Sequence, residues 1–148
     1  MKPWDTIAVC WGAGRDSTAM LIEMERRGIR PALITFADVG GEKNRPDPQQ
    51  GDQIGTYDFI PIFSQWCEDH DFPRPTVCEY RPKADTRERY LESTRAVIDR
   101  LGLSIDEPHV ERLARLYGNM VANDTMPGIA FGPKSCSLKW KLEAQEPT

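Results

Sequence analysis

Two short apolar runs, Thr6 to Cys10 (TIAVC) and Pro31 to Phe36 (PALITF), flank a stretch whose apolar residues recur at helical spacing. This order constrains the fold more than any other feature, because a strand can lie parallel to the next strand in sequence only through a crossover, usually a helix. Both runs are β-branched and apolar without polar alternation. That predicts parallel strands covered by helices on both faces, with Cys10 in the core. The segment from Asp16 to Arg27 reads as the helix. Asp16 and Ser17 suit its entry, Glu23 and Arg27 form an i,i+4 pair, and Gly28 suits a left-handed end. Together the three pieces predict a right-handed βαβ unit.

Further along, residues 43–55 (KNRPDPQQGDQIG) combine prolines, glycines and polar side chains, and predict an exposed loop or insertion. Thr56 to Asp69 resumes helical spacing through Phe59, Ile60, Phe63 and Trp66, with Pro61 expected in the first turn. Thr76 to Tyr80 (TVCEY) predicts a third strand. Residues 85–101 and 108–121 predict two helices, the second with Val110, Leu113, Leu116 and Tyr117 on its apolar face. The stretch from Pro127 to Thr148 holds one apolar piece, Ile129 to Phe131, and then the dense run KSCSLKWK. The whole predicts one α/β domain over residues 1–148, built as three layers around a mainly parallel sheet.

Composition removes several classes. With 148 residues and 39% hydrophobic side chains, the chain can bury one ordinary core. A net charge of −4, with basic residues interleaved among acidic ones, leaves no basic track for duplex nucleic acid. Cys10, Cys67, Cys78 and Cys136 form no CxxC pair, and His70 and His109 stand alone, so reduced thiols in a cytoplasm are expected, without a metal site. The beginning MKPWDTIAVC lacks the apolar stretch of a signal peptide, and no run approaches the ~20 apolar residues of a membrane span.

The turn between the first strand and helix, Gly12-Ala13-Gly14-Arg15-Asp16-Ser17, carries the chemistry. A glycine turn feeding a helix presents free N–H groups at the positive end of the helix dipole, where phosphate is the usual occupant. A Walker loop is disfavoured because the required lysine is missing. A dinucleotide loop retains two of its three glycines, Gly12 and Gly14, and Asp38 stands near the place of a ribose-binding carboxylate. A helix-capping turn without a ligand is also open.

A fourth reading rests on more residues. The turn resembles the S-G-G-x-D-S pyrophosphate loop of the ATP pyrophosphatase superfamily, which includes the phosphoadenosine phosphosulfate (PAPS) reductases. Asp38-Val39-Gly40-Gly41-Glu42 is similar to that family's D-T-G segment, Thr56-Tyr57 to its E-T-Y, and Lys134 to Lys141 (KSCSLKWK) to its cysteine-lysine segment. The resemblance implies an adenine nucleotide α-hydrolase-like fold that binds ATP or PAPS, with Mg2+ as an accompanying ion and a thiol donor protein as partner. Gly12, Ala13, Gly14, Arg15, Asp16, Ser17 and Thr18 would hold the phosphates. Asp38, Gly40, Gly41, Glu42, Thr56 and Tyr57 would line the nucleotide pocket, Lys139 and Lys141 would add positive charge, and Cys136 would be the reactive thiol. The implied chemistry is reduction of an adenylyl sulfate or cleavage of ATP between its α and β phosphates. A homo-oligomer and a bacteriophage origin are compatible with it.

Departures from the family pattern point to a shortened or divergent member. Gly12 and Ala13 replace the leading serine and first glycine, and no carboxylate precedes Thr56. The paired cysteines of the iron–sulfur-binding relatives are missing, so no cluster is expected. The alternative is a non-catalytic nucleotide-binding or interaction protein that lacks the second half of the family site. Residue by residue, plainer roles are also open: Asp16 and Ser17 as helix caps, Asp38 as a turn residue, Cys136 as a packed thiol, the lysines as a solvated face and Trp11 as core.

Overall fold

The computed structural model describes residues 7–41, 54–79 and 81–124, and the element order is β1 (Ala8–Cys10), α1 (Arg15–Arg26), β2 (Leu33–Asp38), α2 (Thr56–Asp69), β3 (Thr76–Glu79), α3 (Ala84–Arg100), α4 (Glu107–Leu113) and α5 (Leu116–Ala122). The protein is α/β. Its strands form one sheet in the order β1-β2-β3, and β1 runs parallel to β2 with Val9 opposite Ile34. Among the described residues no helix is long and apolar enough to cross a membrane. The chain divides into two compact units, residues 1–37 with 42–78, and residues 38–41 with 79–148.

In the first unit, alternation along the strands sends Val9 and Trp11 of the first segment, and Ile34 and Phe36 of the second, to one face. There they meet Leu21 of α1, Phe63 and Cys67 of α2, and Phe72. Trp11 is the centre of this cluster: it is 1% exposed and stacks on Phe63 at a centroid distance of 4.6 Å. Burying side chains of this size supplies roughly 2–3 kcal/mol each, and gives the unit its main cohesion.

The helix ends follow local chemistry. Gly28 adopts φ +66°, its N–H donates to Glu25, and the Ile29 N–H donates to Met24, so the end of α1 closes in a Schellman motif. The expected Glu23–Arg27 pair forms at 2.8 Å.

Several expectations need correction. Only one face of β1 is covered: Val9 is buried, whereas Ala8 and Cys10 are exposed. Cys10 is therefore not a core residue, because alternation points it away from α1 and α2. The second strand does meet the expectation, being buried from Ile34 through Asp38. Helix α1 begins at Arg15 with Gly14 as its N-cap and no side-chain cap, so neither Asp16 nor Ser17 caps it. Pro61 lies in the second turn of α2, where it has no N–H to offer the Tyr57 carbonyl.

In the second unit, α3 packs against α4 and α5. The single helix expected over 108–121 is broken into α4 and α5 at Arg115, which takes φ −77° and ψ −95°. The Leu116 N–H donates to the Val39 carbonyl at 3.3 Å, so the ladder is diverted to a residue remote in sequence. The buried stripe is Val110, Ala114 and Gly118, while Tyr117 of the expected face is 42% exposed. Gly118 is required by contact: a Cβ there would stand 2.8 Å from the Tyr90 Cβ on α3. Val39, Tyr90 and Ala114 form the local core, with Leu91, Leu116 and Ala122 packed around it.

Candidate functional site

The first unit places the glycine turn at the carboxyl end of β1. Trp11 fixes its start: its backbone N–H donates to Thr35 at 2.8 Å, and its indole Nε1 donates to Thr18 Oγ1 at 3.0 Å. Ala13 turns the chain with φ +53°, a conformation costing a residue with a Cβ roughly 1 kcal/mol. Gly14 follows in extended geometry (φ −94°, ψ 171°) as the N-cap of α1. The Ser17 hydroxyl closes the turn, accepting from the Gly12 N–H at 3.3 Å and donating to the Gly14 carbonyl at 3.2 Å.

This geometry leaves first-turn donors of α1 facing outward. The first bond of the helical ladder joins the Thr18 N–H to the Gly14 carbonyl, so the N–H groups of Asp16 and Ser17 precede the ladder and receive no cap from a side chain. Gly12, Gly14, Arg15 and Asp16 are exposed. A Cβ at Gly14 would meet no atom of the described residues within 4 Å, and the residue's φ is ordinary. Neither backbone conformation nor packing therefore requires glycine at position 14. A small residue there keeps the approach to the helix end open, as an anion site needs. The hydroxyls assigned to a phosphate are engaged within the turn, since Ser17 bridges Gly12 and Gly14, and Thr18 accepts from Trp11.

The start of α2 comes near this turn. Phe59, one turn into the helix, lies 6.0 Å from the Trp11 ring between centroids, and Thr56 and Tyr57 form the first turn of the same helix. Both side chains are partly exposed. Trp11 itself is core, and offers no ring face to a base.

Asp38, Gly40 and Gly41 belong to the second unit, and the structure gives each a structural task. Asp38 is 5% exposed; its Oδ1 accepts from the Gly40 N–H at 2.8 Å, and its Oδ2 accepts from Arg115 at 3.0 Å. Arg115 also donates to Glu79 at 2.8 Å. Gly40 has φ +83°, and a Cβ there would lie 2.0 Å from the Arg112 carbonyl oxygen; at Gly41 it would lie 2.4 Å from the Tyr117 ring. The Asp38-x-Gly-Gly pattern is thus explained by the packing of α4 and α5. Sequence reasoning missed Arg115 and Glu79, and no signal marks them, because an arginine within a polar amphipathic helix reads as a solvated position.

Glu42, Cys136, Lys139 and Lys141 lie outside the described residues. Of the described thiols, Cys67 is buried and desolvation pushes it up to about 11, a packed and unreactive group. Among the described residues, no three His, Cys, Asp or Glu side chains converge as a metal site would require.

The described elements define an α/β protein with an uncapped glycine turn at its first strand-to-helix junction. No protein-family model, curated protein or solved structure matches the chain.

Proposed function

We propose that this protein binds the phosphate chain of an adenine nucleotide at the Gly12–Thr18 turn, as a PAPS reductase-like member of the ATP pyrophosphatase superfamily with an adenine nucleotide α-hydrolase-like fold. One observation carries the reading: α1 begins without a side-chain cap, behind an exposed glycine whose missing side chain no contact among the described residues explains. Backbone N–H groups at Asp16 and Ser17, aided by the helix dipole, supply donors suited to a phosphate oxygen. Thr56 and Tyr57, which the family resemblance assigns to the nucleotide pocket, would supply polar groups for the rest of the ligand. The family resemblance assigns the adenosine and selects ATP or PAPS, with Mg2+ accompanying ATP.

Two chemistries are compatible with that ligand, reduction of an adenylyl sulfate through Cys136 with a thiol donor protein, and cleavage of ATP at the α–β bond. A second reading, a nucleotide-binding protein without turnover, is favoured by a specific observation: Asp38 and the Ser17 hydroxyl already bond within the protein.

Gly14→Asp tests the site. An aspartate at the N-cap folds its carboxylate onto the N2 and N3 N–H groups, stabilising the helix by a few tenths of a kcal/mol while occupying the donors a phosphate would use. Calorimetric titration with ATP·Mg and with PAPS should show binding to the wild type and none to Gly14→Asp, whose melting temperature should be equal or higher. Unchanged affinity in that variant would place the nucleotide elsewhere. Sulfite release from PAPS and a thiol donor, lost in Cys136→Ser, would identify the reductase; pyrophosphate release from ATP would identify the hydrolase. Binding with neither product would identify the non-catalytic form.

A further inference from the structure

The second unit contains a cavity of about 470 Å3 that the nucleotide reading does not use. It opens among the last residue of β3, the turn that follows, and helices α3 and α4. Three arginines face it, Arg81, Arg87 and Arg115, with two glutamates, Glu79 and Glu111. Each glutamate is already matched: Arg115 donates to Glu79 at 2.8 Å, and Arg87 donates to Glu111 at 3.1 Å. Arg115 is held further by Asp38, which lies behind it and is buried. Arg81 makes no ion pair or hydrogen bond with any described residue.

We infer that this cavity is a binding site for a small molecule bearing a phosphate monoester, with Arg81 as its primary anchor and Arg87 as a second donor. Each of the cavity's two glutamates accepts from an arginine, and the three guanidiniums carry five N–H donors each and use only a few of them. Among the described lining residues, arginine N–H donors outnumber carboxylate oxygens, which favours an oxyanion as ligand. A guanidinium fork matches two oxygens of a phosphate, and Arg81, the lining arginine with no ion-pair partner among the described residues, presents that fork to it. Ala84 and Ala114 keep two walls low. The volume falls within the ~300–1,000 Å3 common for small-molecule sites, so there is room for a carbon skeleton beside the phosphate. Arg115, fixed on two carboxylates, forms a rigid wall. The site lies wholly within one unit and does not depend on nucleotide binding at the glycine turn.

The test is titration of the full chain with ribose 5-phosphate as probe, followed by calorimetry and by backbone amide shifts. Inorganic phosphate and succinate serve as comparison arms. The wild type should bind ribose 5-phosphate, with amide shifts centred on Ala84 and Arg87, and inorganic phosphate should compete. Arg81→Gln should weaken binding about tenfold or more, as expected for losing charged hydrogen bonds. Its melting temperature should not move, because Arg81 has no ion pair or hydrogen bond to lose among the described residues. Gly14→Asp should leave this affinity intact. Absence of binding at millimolar probe, equal affinity in Arg81→Gln, loss of binding in Gly14→Asp, or succinate binding as tightly as the sugar phosphate would each overturn the assignment. The amide shifts of the wild type decide the location without relying on any variant.

Discussion

Arg115 donates from Nη1 to Oδ2 of Asp38 at 3.0 Å and from Nη2 to Oε1 of Glu79 at 2.8 Å. One guanidinium thereby joins the last residues of β2 and β3 to the break between α4 and α5. The Asp38 side chain is only 7% exposed, and Arg115 and the Gly40 N–H are among the groups that bond it. The carboxylate best placed in sequence for a ribose is held by the protein's own groups.

Removing the guanidinium should therefore cost more than removing both charges. Arg115→Met is expected to destabilise the protein by about 3 kcal/mol, since it removes the guanidinium paired with a buried carboxylate. Adding Asp38→Asn to that variant should recover part of the loss, because the amide oxygen still accepts from Gly40 without carrying charge. Urea denaturation of the two single variants and the double variant measures the coupling.

Two glycines with similar backbone angles should lose unequal stability on substitution, because their surroundings differ. Gly40→Ala places a Cβ 2.0 Å from a backbone carbonyl at φ +83°, and a loss of more than ~2 kcal/mol is expected. Gly28→Ala, at φ +66° with no atom within 4 Å, should cost only about 1 kcal/mol. Thermal melts of both variants give the comparison directly.

Ala13 stands at φ +53°, where glycine would be unstrained. Ala13→Gly should stabilise the native turn by roughly 1–2 kcal/mol and lose up to ~1 kcal/mol to the freer unfolded chain, leaving a small net gain. A higher melting temperature with unchanged circular dichroism is the expected readout.

The thiols should separate by exposure. At pH 8, Cys10 should be alkylated in the native protein, whereas Cys67 should react only after unfolding. Burial raises the Cys67 thiol from an ordinary 9.0 to about 11, so the folded state holds its proton where the unfolded state releases it. That contribution is fully present below pH 9 and is lost as the pH rises towards 11, on the order of 2 kcal/mol in all. Cys67→Ala should flatten this part of the pH–stability curve, which denaturant titrations across the window will measure.

The βαβ start, the three strands and the long helices were legible because each is written in local periodicity and end signals. Thr56–Asp69 coincides with the helix predicted there, and Gly28 ends α1 by the left-handed cap its place suggested. The glycine turn was legible for the same reason, being a short sequence whose backbone conformation is set by its own residues. Other features depended on partners distant in the chain. The burial of one face of β1, the break at Arg115, and the capture of Asp38 by an arginine 77 positions away cannot be read from spacing. Sequence by itself determined where strands and helices form and where a glycine turn feeds the first helix. Only tertiary structure decided which faces are covered and which charges are shared, because desolvation and ion pairing depend on neighbours that a chain acquires only by folding.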